Sequence, residues 1–183
     1  MPEYRRIMQP GGTYFFTVVT YNRQPLFLSQ QCRDILHSAW VNVQSCHPFE
    51  TIALCLLPEH IHVIWKMPEE DADYPMRWKE IKRIFTREYL REVGPGGVRN
   101  ESRIFQGEAA IWQRRYWAHL ILDQDDLNNH IDYIHINPLK HRLVHQVSEW
   151  PWSTFNGYRK KGIYSSDWGG KADIRLMDKD LGE

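Results

Sequence analysis

The chain has 183 residues, with 23 lysines and arginines balanced by 23 aspartates and glutamates. This length suits one domain with a substantial core. No apolar run approaches the roughly 20 residues that a membrane helix needs, so we expect no membrane association. The neutral charge argues against a protein that holds long DNA through its overall field, but it leaves room for local basic patches.

Cysteine usage and the N-terminal sequence indicate the compartment. The three cysteines, Cys32, Cys46 and Cys55, lack metal-ligand spacing. We expect them to be reduced thiols. The first residues carry no apolar core of a secretory signal, so the sequence predicts a cytoplasmic protein.

The first half of the chain predicts a strand, a helix and a hairpin. Residues 13–20 are rich in β-branched and aromatic side chains, which favours a strand. Apolar residues at helical spacing follow from residue 30 to about residue 43. Residues 49–57 and 60–67 predict two strands joined by the tight turn Pro58-Glu59. The first of these strands is apolar on both faces, which predicts a central position in its sheet.

The second half predicts a basic helix from about Met76 to Glu92 and a glycine-rich polar loop from Gly94 to Gly107. A basic and aromatic stretch, Trp112–Leu122, leads into a fourth strand. Asp123 then caps a helix that we expect to end near Asn137, because the proline after it disfavours continuation.

The order of these elements is β-α-β-β-α-β followed by one more helix. This is the order of a ferredoxin-like α+β fold with an antiparallel sheet. We expect residues 1–170 to form one domain that ends in a turn-rich region. Residues 171–183 form a C-terminal tail that is a candidate for disorder.

Two histidines one residue apart, His60 and His62, lie in an apolar run. Successive side chains of a strand point to opposite faces, so both imidazoles share one face and Ile61 lies on the other. Two imidazoles on a rigid face can hold a divalent ion when a third ligand arrives from elsewhere. The alternative is a packed histidine beside a solvated one.

The last predicted helix can supply the third ligand. At about 100° per residue, His130, Tyr133 and Asn137 fall on one face of it. Docked over the histidine face, this helix would add a phenol and an amide oxygen, a donor set that suits Mg²⁺ or Mn²⁺, with His130 in support. A phenol at a metal can attack a phosphodiester. The alternative is a tyrosine that packs on the sheet with its hydroxyl at the surface.

Several separated stretches resemble the HUH single-tyrosine transposases and, more narrowly, the REP-associated tyrosine transposases of bacteria. They are Glu3–Arg6, Gly11–Thr13, Leu57–His62, Asp132–His141 and Trp150–Phe155. The resemblance covers roughly residues 3 to 170. It implies a metal-dependent endonuclease of single-stranded DNA at REP-type hairpins, which cleaves DNA through a 5′-phosphotyrosine intermediate. Whether the enzyme also rejoins DNA stays open.

The resemblance also assigns roles by position. It implies Tyr133 as the nucleophile and His60, His62 and Asn137 as ligands of Mg²⁺ or Mn²⁺. The expected partner is single-stranded or hairpin DNA. We expect a monomer in preference to a homodimer, located in the bacterial cytoplasm at the nucleoid.

DNA contacts are predicted on the N-terminal arm, on the basic helix and before the fourth strand: Arg5, Arg6, Lys79, Lys82, Arg83, Arg114 and Arg115. Lysine and arginine bind phosphates, and the aromatic residues of Trp112–Trp117 can stack unpaired bases. For the basic helix, which also carries Arg77, Arg87 and Arg91, the alternative is a solvated face.

Three other functions fit the sequence less well. A replication or relaxase-type nickase would share the site, but such proteins usually carry further domains. A hairpin-DNA-binding protein or repressor that has lost cleavage stays open, because retained site residues do not prove activity. A zinc hydrolase is the weakest alternative, since no His-Glu-x-x-His arrangement accompanies the histidine pair.

Overall fold

The computed structural model describes residues 8–165 and 167–169. Its four strands are β1 (Thr13–Val19), β2 (Glu50–Leu56), β3 (His60–Lys66) and β4 (Trp117–Leu120). They form one antiparallel sheet in the order β2-β3-β1-β4. Helices α1 (Gln30–Cys46) and α2 (Tyr74–Glu92) make the two crossovers. The ferredoxin-like α+β fold predicted from the order of elements is therefore confirmed.

The two faces of the sheet are covered by different helices. Ile61, Val63 and Trp65 of β3 lie in the core shared with α1 and α2. The alternate residue Ile64 packs instead with Tyr133 of helix α4 (Gln124–Lys140). Because strand side chains alternate, His60 and His62 share the face of Ile64 and point towards α4.

Helix α4 continues past the predicted end at Asn137 and includes Pro138. The prediction was wrong because a proline in the last turn removes only one backbone donor. The backbone N–H of His141 still donates to the carbonyl of Asn137 at 3.0 Å and closes the turn. Pro138 itself is buried, so packing stabilises the extra turn.

The central position predicted for β2 is also wrong, because β2 is an outer strand of the sheet. Its free edge is covered by the C-terminal region. The backbone N–H of Leu56 donates to the carbonyl of Trp152 at 2.8 Å, and the hydroxyl of Tyr158 donates to the carbonyl of Ile52 at 2.9 Å. Apolar side chains suit both faces of this strand because both are covered: Leu54 and Leu56 pack in the core with α1 and α2, and Ala53 and Cys55 pack with α4.

Two short α-helices were not predicted. Helix α3 (Glu101–Phe105) lies inside the glycine-rich loop, where Asn100 caps it by accepting from the backbone N–H of Arg103. Helix α5 (Phe155–Lys160) lies in the turn-rich C-terminal region. Neither has the length over which apolar periodicity becomes visible in a sequence.

Three sequence predictions concern parts of the chain at its two ends. The arginines Arg5 and Arg6 and the tail 171–183 lie outside the described residues. The single domain 1–170 stays a prediction. Within the part of the chain that the structure describes, no helix has the length and apolar character needed to cross a membrane.

Candidate active site

The two histidines of β3 point their Nε2 atoms towards each other. The Nε2 atoms of His60 and His62 are 3.1 Å apart. On the far side of each ring, Nδ1 of His60 is 3.0 Å from a carboxylate oxygen of Glu59, and Nδ1 of His62 is 2.9 Å from the hydroxyl of Thr17. Both histidines are buried, so these contacts fix both rings.

The hydrogen bonds of the pair determine which nitrogens can accept a cation. The Glu59 carboxylate can only accept, so Nδ1 of His60 carries the hydrogen and Nε2 of the neutral ring holds a lone pair. The hydrogen bond to His60 holds the pKa of Glu59 below its usual range. The Thr17 hydroxyl can donate or accept, so His62 can also present a lone pair at Nε2.

These donors fit a divalent ion. Adjacent ligands of an octahedral ion with bonds of about 2.1 Å lie about 3 Å apart, and the Nε2 atoms of His60 and His62 already have that separation. Metal-bound histidines usually donate their second ring N–H to a carboxylate or similar acceptor, as His60 does to Glu59. Asn137, the third predicted ligand, is buried on α4 one turn after Tyr133.

Helix α4 places Tyr133 against the histidine pair. Its ring meets the ring of His62 edge-on at a centroid distance of 5.3 Å, and it also contacts Phe15 of β1 at 6.0 Å. Tyr133 has no exposed surface, which excludes the alternative of a surface hydroxyl. The predicted nucleophile and His62 are therefore in contact on one face of the sheet.

Four residues around this site were not identified from the sequence: Thr17, Glu59, Lys140 and His141. The Lys140 Nζ lies 5.0 Å from the centre of the Tyr133 ring, and the His141 ring lies 5.3 Å from that of His60. Two signals could have revealed part of this set. Thr17 is a polar residue in an otherwise apolar strand, and Glu59 directly precedes the histidine pair.

The predicted supporting residue, His130, has other partners. Its Nδ1 lies 2.9 Å from the backbone carbonyl of Asp126, whose carboxylate also accepts from Nε2 of His119 at 2.8 Å. Burial lowers the pKa of His130 and favours its neutral form. His130 thus holds α4 against β4, through the ring of His119.

His119, Asp126 and His130 offer ligand atoms within 4.8 Å of one another, which raises the question of a second metal site. The two imidazole rings, however, are stacked at 4.7 Å and within 16° of parallel. A lone pair lies in the plane of its own ring, so parallel stacked rings do not aim at one common ion. The hydrogen bonds from both rings to Asp126 explain the cluster without a metal.

Three of the five predicted DNA-contact residues in the described chain lie on the helix opposite the histidine face. Lys79, Lys82 and Arg83 belong to α2, which covers the opposite face of the sheet. Lys82 donates to the carbonyl of Gln113 at 3.1 Å, and Arg83 pairs with Glu80. Arg114 pairs with Glu108, and Arg115 is exposed just before β4. Their contacts with DNA stay predictions.

Comparisons with known proteins identify the family of the chain. No family model matches the chain. The REP-associated tyrosine transposase of Escherichia coli K12 is 44% identical over 170 residues, which cover 93% of this chain and 92% of that protein. A Haemophilus influenzae protein, provisionally given the same name, is 42% identical over 176 residues, covering 96% of this chain and 98% of that protein.

A solved structure gives the same result. It shows a REP-associated tyrosine transposase bound to a REP hairpin, and it matches with a TM-score of 0.80 at 42% identity, covering 100% of this chain and 98% of the other. Identity at this level along nearly the whole length of each relative shows that the chain belongs to the REP-associated tyrosine transposases, and hence to the DNA transposases.

Proposed function

We propose that this transposase is a metal-dependent endonuclease that cleaves single-stranded DNA beside REP-type hairpins, with Tyr133 as its nucleophile. The observation that carries the proposal is the contact of the Tyr133 ring with His62, whose Nε2 lies 3.1 Å from that of His60. A phenol beside two convergent imidazoles suits transesterification of a phosphodiester. The REP hairpin held by the related solved structure supports the choice of DNA.

The proposed step exchanges one ester for another. The Oη atom of Tyr133 forms a bond to the scissile phosphorus, and the bond between phosphorus and the 3′-oxygen breaks. The phenol loses its proton, and the leaving 3′-oxygen gains one, so the products are a 5′-phosphotyrosine and a free 3′-hydroxyl. Attack by a 3′-hydroxyl on the same ester reverses the step and rejoins the strand.

The remaining site residues would either bind the cation or orient the side chains that bind it. His60 and His62, through Nε2, and Asn137, through its amide oxygen, would bind Mg²⁺ or Mn²⁺. The ion, when bound, would polarise the phosphate oxygens and so favour attack. Glu59 and Thr17 would keep the two imidazoles oriented through their hydrogen bonds to Nδ1.

We propose that one chain suffices for this chemistry. His60, His62, Tyr133 and Asn137 all belong to the same chain, and α4 packs on β2 and β3 of its own sheet. No residue of a second copy is needed to complete the set. Hairpins in the chromosome would place the protein at the nucleoid.

The test is the covalent adduct. Wild type, Tyr133→Phe and Tyr116→Phe are incubated with a 3′-labelled hairpin that carries a single-stranded flank, in Mn²⁺ or Mg²⁺, and are then denatured. We expect labelled protein from wild type and Tyr116→Phe and none from Tyr133→Phe, because phenylalanine keeps the ring but cannot form the ester. The matched control, Tyr116, packs on Trp78 of α2 on the opposite face.

Two outcomes would contradict the proposal. An adduct formed by Tyr133→Phe would show that another residue is the nucleophile. Tight hairpin binding without any adduct in wild type would favour the alternative, a hairpin-DNA-binding protein or repressor that has lost cleavage.

A further inference from the structure

The aromatic stretch before and within β4 divides its side chains between the core and the surface. Trp112 is 6% exposed and packs on Phe27 and Phe85. Tyr116 packs on Trp78 in the core beneath α2. Trp117, in contrast, is 46% exposed. Of these three aromatic residues, Trp117 alone presents a large apolar surface to solvent.

The strand register places Trp117 on the face of the active site. Thr17 of β1 is paired with His62 on one side and with Trp117 on the other. Side chains of directly opposed residues share a face of the sheet. Trp117 therefore lies in one row with Thr17 and His62, and two strand spacings put its backbone about 10 Å from that of His62.

Position and exposure together suggest what this indole binds. Since β4 is the other outer strand of the sheet, the row that runs from His62 through Thr17 ends at Trp117. An indole with an exposed face stacks on any unpaired base, whereas a base inside a duplex has no free face to offer. At 3.4 Å or more per nucleotide, about 10 Å corresponds to at most about three nucleotides.

We propose that Trp117 is the stacking surface for an unpaired base that lies within about three nucleotides of the scissile phosphate. This proposal rests on the proposed function, since it takes the histidine pair as the position of that phosphate. Trp117 positions the single-stranded flank and so holds the phosphate at Tyr133. Arg115 is exposed two residues before Trp117 and can meet the adjoining backbone.

The experiment places a fluorescent base at successive positions of the flank. Wild type, Trp117→Leu and Trp117→Phe are mixed with hairpins that carry 2-aminopurine at one flank position each, in EDTA so that no cleavage occurs. The label is on the DNA because the protein has eight tryptophans of its own. Phe105→Leu is the matched control, because Phe105 is 92% exposed and lies on α3.

We expect wild type and the control to quench 2-aminopurine at one flank position. Trp117→Phe should retain part of the quenching, and Trp117→Leu should lose it. Trp117→Leu should also bind the flanked hairpin about tenfold more weakly, within the range known for stacking, while its affinity for a hairpin without a flank stays unchanged. Equal quenching and equal affinity in wild type and Trp117→Leu would overturn the proposal.

The adduct assay separates this proposal from the proposed function. If wild type forms no adduct but Trp117-dependent quenching is present, cleavage is overturned and base stacking is supported. If wild type forms the adduct and the flank is bound without Trp117, cleavage is supported and stacking is overturned. Quenching that is absent from wild type at every flank position also overturns stacking.

Discussion

The Nζ atom of Lys140 lies 5.0 Å from the centre of the Tyr133 ring, seven residues and almost two turns further along the same helix. Because both residues belong to α4, the helix itself holds a cation against the face of the phenol. Negative charge grows on that phenol as it loses its proton to attack phosphorus. A fixed cation stabilises such charge without reorganisation.

Lys140→Met should therefore slow adduct formation by about tenfold or more, since about 1.4 kcal/mol of lost stabilisation has that effect. Lys140→Arg, which keeps the charge, should be slowed less. Rates are measured under single-turnover conditions with saturating hairpin, so that loss of DNA affinity does not contribute. Lys161→Met, at an exposed residue after α5, is the control. A rate equal to that of wild type in Lys140→Met would exclude this role.

Thr17→Val should weaken metal binding while preserving the fold. The two side chains are nearly isosteric, and the change removes the hydroxyl that lies 2.9 Å from Nδ1 of His62. Loss of such an outer partner typically costs 10- to 100-fold in metal affinity. We expect a corresponding rise in the Mn²⁺ concentration that gives half-maximal adduct formation. Thr13→Val, on the same face of β1, should leave that concentration unchanged.

His60→Gln should abolish both cleavage and metal-dependent stabilisation. His60 is 1% exposed, so glutamine is preferable to alanine, which would leave a buried cavity. A ligand at 100 times its Kd stabilises a protein by about 2.7 kcal/mol. Mn²⁺ should thus raise the thermal unfolding midpoint of wild type and of the control His145→Gln, whose histidine is exposed. An equal rise in His60→Gln would remove His60 from the set of ligands.

Asp71→Asn should destabilise the fold at neutral pH and lose its effect in acid. Asp71 accepts from Nη2 of the buried Arg77 at 2.7 Å, and this hydrogen bond lowers the pKa of Asp71. A depressed pKa contributes stability above the unfolded value near 3.9, and the contribution is lost as pH falls through the folded pKa.

At pH 7, we expect the free energy of unfolding of Asp71→Asn to be about 1 to 2 kcal/mol below that of wild type, because Asp71 is partly exposed. Urea titrations from pH 7 to pH 3 measure this difference, which should shrink below about pH 4. Asp34→Asn, at an exposed residue of α1, should show no such difference. A difference that is constant down to pH 3 would contradict the assignment.

Local periodicity explains how much of the site the sequence could predict. The face shared by His60 and His62 follows from the period of a strand, and the face shared by Tyr133 and Asn137 follows from the period of a helix. The role of Lys140 was missed for a related reason. The sequence predicted that the helix would end before Pro138, so the turn that brings Lys140 over Tyr133 was not expected.

Other features depend on distant parts of the chain and leave no local signal. Arg77 was counted among the basic residues of a solvated helix face, yet it is 1% exposed. It donates to the carbonyls of His47 and Pro48, which lie about 30 residues earlier in the sequence. A guanidinium that pairs with carbonyls across a turn has the same sequence pattern as one that faces water.

The hydrogen bonds that cover the outer edge of β2 determine how far the chain can be shortened. All the proposed catalytic and metal-binding residues lie before residue 141, so a truncation after α4 would keep the whole set. It would, however, leave the N–H groups of Leu54 and Leu56 without their partners Thr154 and Trp152. Unpaired strand edges promote association between chains. A fragment that keeps this edge covered therefore extends at least to Tyr158, although it contains no further active-site residue.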